Sequence, residues 1–192
     1  LAELAHELDG SVAVHTDMTS EGEIQNRIDR TMEIHGRIDI LINNAGQGLY
    51  SPLEDVDLDK YKHIMNLNVF GPVFAMKLAI PIMKAQGGGM ILNISSNVSK
   101  NYYPGLSAYA STKYALNAIS LTSREELKGN NIVVSVFHPR MTATSFGTNA
   151  FSKKPIDSAT RAKERGVPID SAEQVADKII EQIGSEAAEA TM

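Results

Sequence analysis

Apolar residues recur along this chain in two alternating rhythms. Short, nearly continuous apolar runs at residues 38–42, 90–95 and 132–137 are bounded by glycine or asparagine and predict strands. A fourth run, residues 11–15 after Gly10, predicts another. Between them lie longer stretches of helical period. Residues 20–35 carry Ile24, Ile28 and Met32 at i, i+4 steps, with Asp17 or Thr19 as cap and Gly36 as stop. Residues 58–86, 107–128 and 171–183 predict further helices, and residues 1–8 the tail of one. Gly87-Gly88-Gly89 and Gly129-Asn130-Asn131 read as turns, and residues 141–169 as polar, broken chain. Helices alternating with apolar strands predict an α/β fold, a parallel sheet covered on both faces.

Composition narrows the function. A length of 192 residues suits one domain that buries about 70% of its unfolded surface. The net charge is −5, with no basic patch, which argues against a nucleic-acid partner. Absence of cysteine excludes thiol chemistry and a disulfide frame. The most apolar stretch, residues 69–83, is interrupted by Gly71, Pro72, Lys77 and Pro81, so no membrane span is expected and a cytoplasmic location is the default. No metal site is expected. The histidines form no ligand pair, and Asp55, Asp57 and Asp59 lack the glycine and glutamate of a calcium loop, so they read as helix caps. Gly87 to Gly89 precede a strand rather than a helix and cannot cradle phosphate. No Gly-x-Ser-x-Gly elbow supports hydrolase chemistry.

The candidate chemistry centres on Tyr109 and Lys113, one helical turn apart, with Ser96 thirteen residues upstream of Tyr109. A phenol titrates near ~10 in water, and a nearby ammonium lowers that value, so Tyr109 can exchange a proton with a carbonyl or alcohol oxygen. Ser96 at a strand end can address the same oxygen. The pair alone is a weak signal, but three further segments strengthen it. Asn43-Asn44-Ala45-Gly46 ends an apolar strand with amides and small residues that admit a flat ligand. Asn68 lies inside an apolar helical stretch, where a buried amide needs partners. His138-Pro139-Arg140-Met141-Thr142-Ala143-Thr144 follows a strand and offers hydroxyls to a ligand.

Together these motifs resemble the short-chain dehydrogenases/reductases, over nearly the whole chain. The resemblance implies a Rossmann-like doubly wound sheet, NAD or NADP as cofactor and a small-molecule carbonyl/alcohol substrate. It implies a catalytic set of Asn68, Ser96, Tyr109 and Lys113. It places Asp17 and Met18 at adenine, Asn44, Ala45 and Gly46 along the cofactor, and Pro139, Thr142 and Thr144 at the nicotinamide, with Tyr109 and Lys113 also touching cofactor. Lys113 would hold the ribose, and Asn68 a water linking Lys113 to solvent. Helices 58–86 and 107–128 would be the faces of a homodimer or homotetramer.

Two departures stand out. Arg140 replaces the family's glycine and could face cofactor phosphate, substrate or solvent. The family's opening strand and glycine-rich phosphate turn have no match here, so residues 1–192 are expected to be a single domain that is N-terminally incomplete, with strands 11–15 and 38–42 lacking their intervening neighbours. A chain starting at Leu1 is expected to bind dinucleotide poorly. Residues 141–169 are the expected substrate lid, where Phe146 and Phe151 offer apolar contacts and Lys153, Lys154, Arg161, Lys163 and Arg165 positive charge. Rival readings are a non-catalytic subunit or fragment of the same fold, and an epimerase or dehydratase of sugar nucleotides.

Overall fold

The computed structural model describes residues 5, 7, 8, 10–153 and 157–192. Four parallel strands, β1 (Ile40–Asn43), β2 (Gly89–Ile94), β3 (Ile132–His138) and β4 (Glu189–Thr191), lie side by side in chain order. Asn43 registers with Asn93, and Asn93 with Val136. The connections are helical: α1 (Glu21–His35) precedes β1, α2 (Leu58–Met65) and α3 (Gly71–Ala85) lead to β2, and α4 (Ser107–Leu127) leads to β3. Helices α5 (Ser158–Arg165) and α6 (Ala172–Ser185) precede β4.

Side chains alternate across β2 and β3, and helices cover both faces. Ile91 and Val134 face α1, α3 and α4, in a cluster with Ile24, Ile28, Ala75, Ala79 and Met83. Leu92, Ile94 and Phe137 face α6, against Val175, Ile179 and Ile183. Full burial of a side chain such as Phe137 contributes about 1.5–3 kcal/mol. This is the Rossmann-like α/β arrangement expected from the sequence.

Helix ends follow local chemistry. Ser20, not Asp17 or Thr19, caps α1 by accepting from the Glu23 N–H, and Gly36 ends it at φ 70°. Asp57 caps α2, accepting from Asp59 and Lys60. Ser171 and Gln174 form a reciprocal capping box on α6. Gly71 opens α3 where a Cβ would lie 2.3 Å from the Met18 carbonyl oxygen, so only glycine lets the helix approach that closely.

Several expectations need correction. Residues 11–15 form no strand, and Val12 is exposed, because no neighbouring strand offers them a ladder. Strand β1 is not buried on both faces: Ile40 and Ile42 are 44% and 40% exposed, since α6 packs against β2 and β3 rather than β1. The helices expected between residues 58 and 86 are α2 and α3, joined by a π turn at Asn66–Phe70. Even so, the run Leu58–Ala85 is continuous and long and apolar enough to cross a bilayer by length and composition. The case for a core helix therefore rests on burial of Ala75, Met76, Ala79 and Met83 rather than on shortness. Helix α5 lies within the stretch read as broken chain, because its composition is polar and, among its described side chains, only Ala162 is buried. The expected helix at residues 1–8 falls largely outside the described residues.

Candidate active site

Helix α4 begins where β2 ends, and its inward stripe is polar. Tyr109, Lys113 and Asn117 follow at i, i+4 steps, and Thr112 and Ser120 are fully buried beside them. Lys113 is 4% exposed. Its Nζ donates to the Ile94 carbonyl at the end of β2 (2.9 Å) and lies 6.0 Å from the Tyr109 ring centre. Burial pushes this ammonium down to about 8.

Tyr109 is 5% exposed. Burial raises its phenol well above the ordinary range, the neighbouring Tyr50 pushes the same way, and a hydrogen bond with the Ser96 side chain opposes both. The expected lowering by Lys113 is absent from the influences on this phenol, and desolvation holds it in its protonated form. Ser96 stands two residues past β2 in extended backbone. Its Oγ accepts from the Val98 N–H at 3.3 Å, opening a short 3-10 turn at Asn97–Ser99.

Asn68 owes its place to the π turn. The extra residue widens the helix and turns this amide inward, where it is fully buried. Its Oδ1 accepts from the Gln47 N–H (2.9 Å), and its Nδ2 donates to the Gln47 carbonyl (2.9 Å) and to Thr112 Oγ1 (3.1 Å). The loop after β1 is thereby tied to both α2–α3 and α4. Gly46 sits at this junction: a Cβ there would be 3.2 Å from Asn68 Oδ1 and 3.6 Å from Lys113 Nζ. Asn43 below it donates to Asn93 Oδ1, and Asn93 donates to Ser120 Oγ, each at 2.8 Å. This polar ladder links β1 through β2 to α4.

Asn44, Ala45 and Met18 line a hollow of about 200 Å³ together with Arg27, Ile42, Asn43 and Pro72. Arg27 Nη2 and Asn43 Oδ1 are buried without a hydrogen-bond partner among the described residues. Asp17 is not part of this hollow. Its Oδ1 accepts from the N–H and hydroxyl of Thr19, both at 2.8 Å.

Pro139 to Thr144 leave β3 toward the lid. Thr142 Oγ1 donates to the Arg140 carbonyl, and Thr144 Oγ1 accepts from the Phe146 N–H. Of the surroundings expected for Arg140, solvent is met in part, its side chain being 38% exposed. Its guanidinium forks onto the buried Asp170 carboxylate at 2.7 and 3.1 Å. The pair brackets residues 141–169, and backbone bonds between Asp170 and residues 141 and 143 close the same stem. Within residues 141–153, Phe146 lies 5.7 Å from Tyr109 between ring centres, and Phe151 pairs by backbone with Gly48 and Tyr50. Lys153 pairs with Asp55, and Arg161 stacks on Tyr50 at 4.6 Å. These two cations are engaged within the chain. Lys154 lies outside the described residues.

Sequence reasoning missed Asn93, Thr112, Ser120, Ser99 and Asn117. Asn117 continues the Tyr109–Lys113 spacing and was legible by that periodicity. The others are small polar residues whose burial only the packing reveals.

The sequence profile of the short chain dehydrogenases matches residues 1–155. An uncharacterised oxidoreductase of Schizosaccharomyces pombe is 34% identical over 145 residues, 76% of this chain and 61% of the relative. Trans-4-hydroxycyclohexanecarboxylate dehydrogenase of Sinomonas cyclohexanicum is 34% identical over 131 residues, 68% of this chain and 50% of that protein. The chain thus spans between half and two thirds of the length of these relatives. Among solved structures, a short-chain dehydrogenase from Streptomyces avermitilis superposes with a TM-score of 0.85 at 27% identity, covering 100% of this chain and 74% of that one. Gluconate 5-dehydrogenase from Burkholderia cenocepacia, in complex with NADP and tartrate, gives a TM-score of 0.70 at 28% identity over 76% of this chain and 59% of that one. With the profile covering most of its length and these relatives sharing its sheet and helices, the chain belongs to the short chain dehydrogenase family.

Proposed function

We propose that the protein containing this chain is an NAD(P)-dependent oxidoreductase that interconverts a small-molecule carbonyl and its alcohol. The observation that carries this reading is the convergence of a buried Tyr109, whose phenol is influenced by the Ser96 hydroxyl, with a buried Lys113 one turn further along α4. The residues present fit the cofactor in two places. Gly46 leaves a gap beside Asn68 and Lys113 that any side chain would fill. The hollow at Met18, Asn44 and Ala45 holds two orphaned polar groups that suit a polar ring. Lys113 would hold the ribose, Asn44 to Gly46 the body of the cofactor, and Pro139, Thr142 and Thr144 the nicotinamide. Asp17, turned onto Thr19, has the least support.

When bound, a nicotinamide supplies or accepts the hydride. In reduction, Tyr109 donates its phenolic proton to the carbonyl oxygen as that oxygen gains charge. The Ser96 hydroxyl donates a hydrogen bond to the same oxygen. The Lys113 ammonium stabilises the phenolate left behind. Asn68 braces the Gln47 loop, and Oδ1 keeps a second lone pair for a water leading from Lys113. Alcohol oxidation runs these steps backwards.

Residues 141–169 act as the substrate lid, supported by Phe146 against Tyr109 and by the Arg140–Asp170 clamp at the stem. With Lys153 and Arg161 engaged internally, the lid favours an uncharged, apolar substrate over an acidic one. A homodimer or homotetramer and a cytoplasmic location belong to the same reading; exposed Leu58 and Phe70 support association through α2 and α3. A second reading, a chain of this fold that cannot hold dinucleotide by itself, is favoured by the uncovered face of β1. The test is NAD(P)H absorbance during turnover of a ketone panel by the whole protein. Net change in NAD(P)H supports a dehydrogenase; turnover without it points to epimerase or dehydratase chemistry, and no turnover on any ketone favours the non-catalytic reading.

A further inference from the structure

His138, the last residue of β3, is fully buried but has no part in the chemistry above. Its Nε2 lies 2.9 Å from Glu189 Oε1 on β4. An ionised carboxylate only accepts, so the proton between them sits on Nε2, and the neutral ring presents Nδ1 as a lone pair. Nδ1 lies 3.3 Å from Ser99 Oγ and 3.4 Å from the Ser96 carbonyl oxygen.

Ser99 joins this pair to the site. Its Oγ donates to the Ser96 carbonyl at 2.6 Å and accepts from Asn117 Nδ2 at 2.8 Å. The single hydroxyl proton of Ser99 thus stands between two acceptors, with the Ser96 carbonyl the nearer. Ser96 is gripped through its backbone from this side, while its hydroxyl acts on the Tyr109 phenol from the other. The charged groups facing His138 are Glu189 from β4 and Lys100, just past the 3-10 turn, whose Nζ lies 2.5 Å from the same Glu189 oxygen. Burial and Lys100 keep the imidazole below its ordinary value, which preserves the neutral tautomer.

We propose that His138 and Glu189 are positioning residues: they brace Ser99, whose hydroxyl holds the Ser96 carbonyl, so that the Ser96 hydroxyl stays beside Tyr109. This rests on the roles of Ser96 and Tyr109 given above. It makes the C-terminal strand part of the catalytic apparatus, although Glu189 touches none of the reacting atoms.

The test exploits two amides of different reach in the whole protein. In His138→Asn the amide reaches the Nδ1 position and keeps the contact with Ser99. In His138→Gln it reaches the Nε2 position and keeps the contact with Glu189 alone. The expected kcat is within about threefold of wild type for the first and about tenfold lower for the second, with KM for dinucleotide unchanged in both. Equal rates in the two variants, or a loss confined to KM, would overturn the proposal. Should either variant fail to fold, Glu189→Ala tests the same chain from a partly exposed residue. It frees the imidazole to take the other tautomer, which an amide cannot do, and is expected to lower kcat about fivefold; wild-type turnover would overturn the proposal. Ser96→Ala separates the two levels. If it retains wild-type kcat, the site reading itself fails; if it is inactive while the His138 variants are indifferent, only the positioning role fails.

Discussion

Asn68 closes both hydrogen bonds of the Gln47 peptide, accepting from its N–H and donating to its carbonyl, each at 2.9 Å. One side chain from a π turn thus replaces a strand neighbour for the loop after β1. The amide is fully buried, and Thr112 shares its Nδ2.

Removing that side chain leaves a peptide half-buried without partners. Asn68→Ala is expected to destabilise the fold by about 2 kcal/mol and to raise the dissociation constant for NAD(P)H, since Gly46 borders the same amide. Urea unfolding and dinucleotide titration of the whole protein measure the two effects. Unchanged stability would show that the loop holds itself.

Lys113 sets a pH limit. With its ammonium pushed down to about 8 and the Tyr109 phenol held above its ordinary range, carbonyl reduction is expected to fall as pH rises through about 8, while the phenol stays protonated. A profile of kcat/KM for ketone reduction that stays flat to pH 10 contradicts this assignment. The sign for stability runs the other way. The folded value, about 8, lies below the ordinary 10.5, so between these two the unfolded chain binds more protons, and stability rises with pH across that window. Burying the charge costs about 3 kcal/mol below that window. Lys113→Met removes this cost and a hydrogen bond worth about 1 kcal/mol. It is expected to abolish turnover while stabilising the fold by about 2 kcal/mol at pH 7. A less stable Met variant would show that the bond to Ile94 outweighs desolvation.

Strands β1 to β3 and the long helices were legible because their apolar periods are strong, whereas β4, three residues with only Ala190 half-buried, was not expected. The candidate site was legible as spacing alone: Tyr109 and Lys113 fall one helical turn apart in any α-helix. What the spacing hid was the field around them. Packing of Phe146 on Tyr109 depends on a segment that returns from more than thirty residues downstream, and the Tyr50 charge effect on a loop from far upstream. The π turn was hidden because its five residues carry ordinary helix formers, and only the inward Asn68 hinted at it. The surroundings of Arg140 stayed open in the sequence because its partner, Asp170, lies thirty residues further along the chain. Residues 11–15 have strand composition but no partner, and composition cannot supply one.

The Arg140–Asp170 fork holds both ends of the lid. Arg140→Ala is expected to raise the rate of tryptic cleavage within residues 141–169 about tenfold and to raise KM for ketone more than it lowers kcat. Peptide mapping over time reads the first effect, and steady-state kinetics the second. Cleavage at the wild-type rate would mean that the backbone bonds at residues 141, 143 and 170 suffice to close the stem.

The most direct measurement is turnover of a reducible ketone by the whole protein and its Tyr109→Phe variant, followed by NAD(P)H absorbance. The substitution keeps the ring that packs against Phe146 and removes only the hydroxyl that bonds Ser96. The account predicts a folded variant that binds dinucleotide as before and turns over about a thousandfold more slowly. A variant that reduces the ketone at near wild-type rate would contradict Tyr109 as the proton donor.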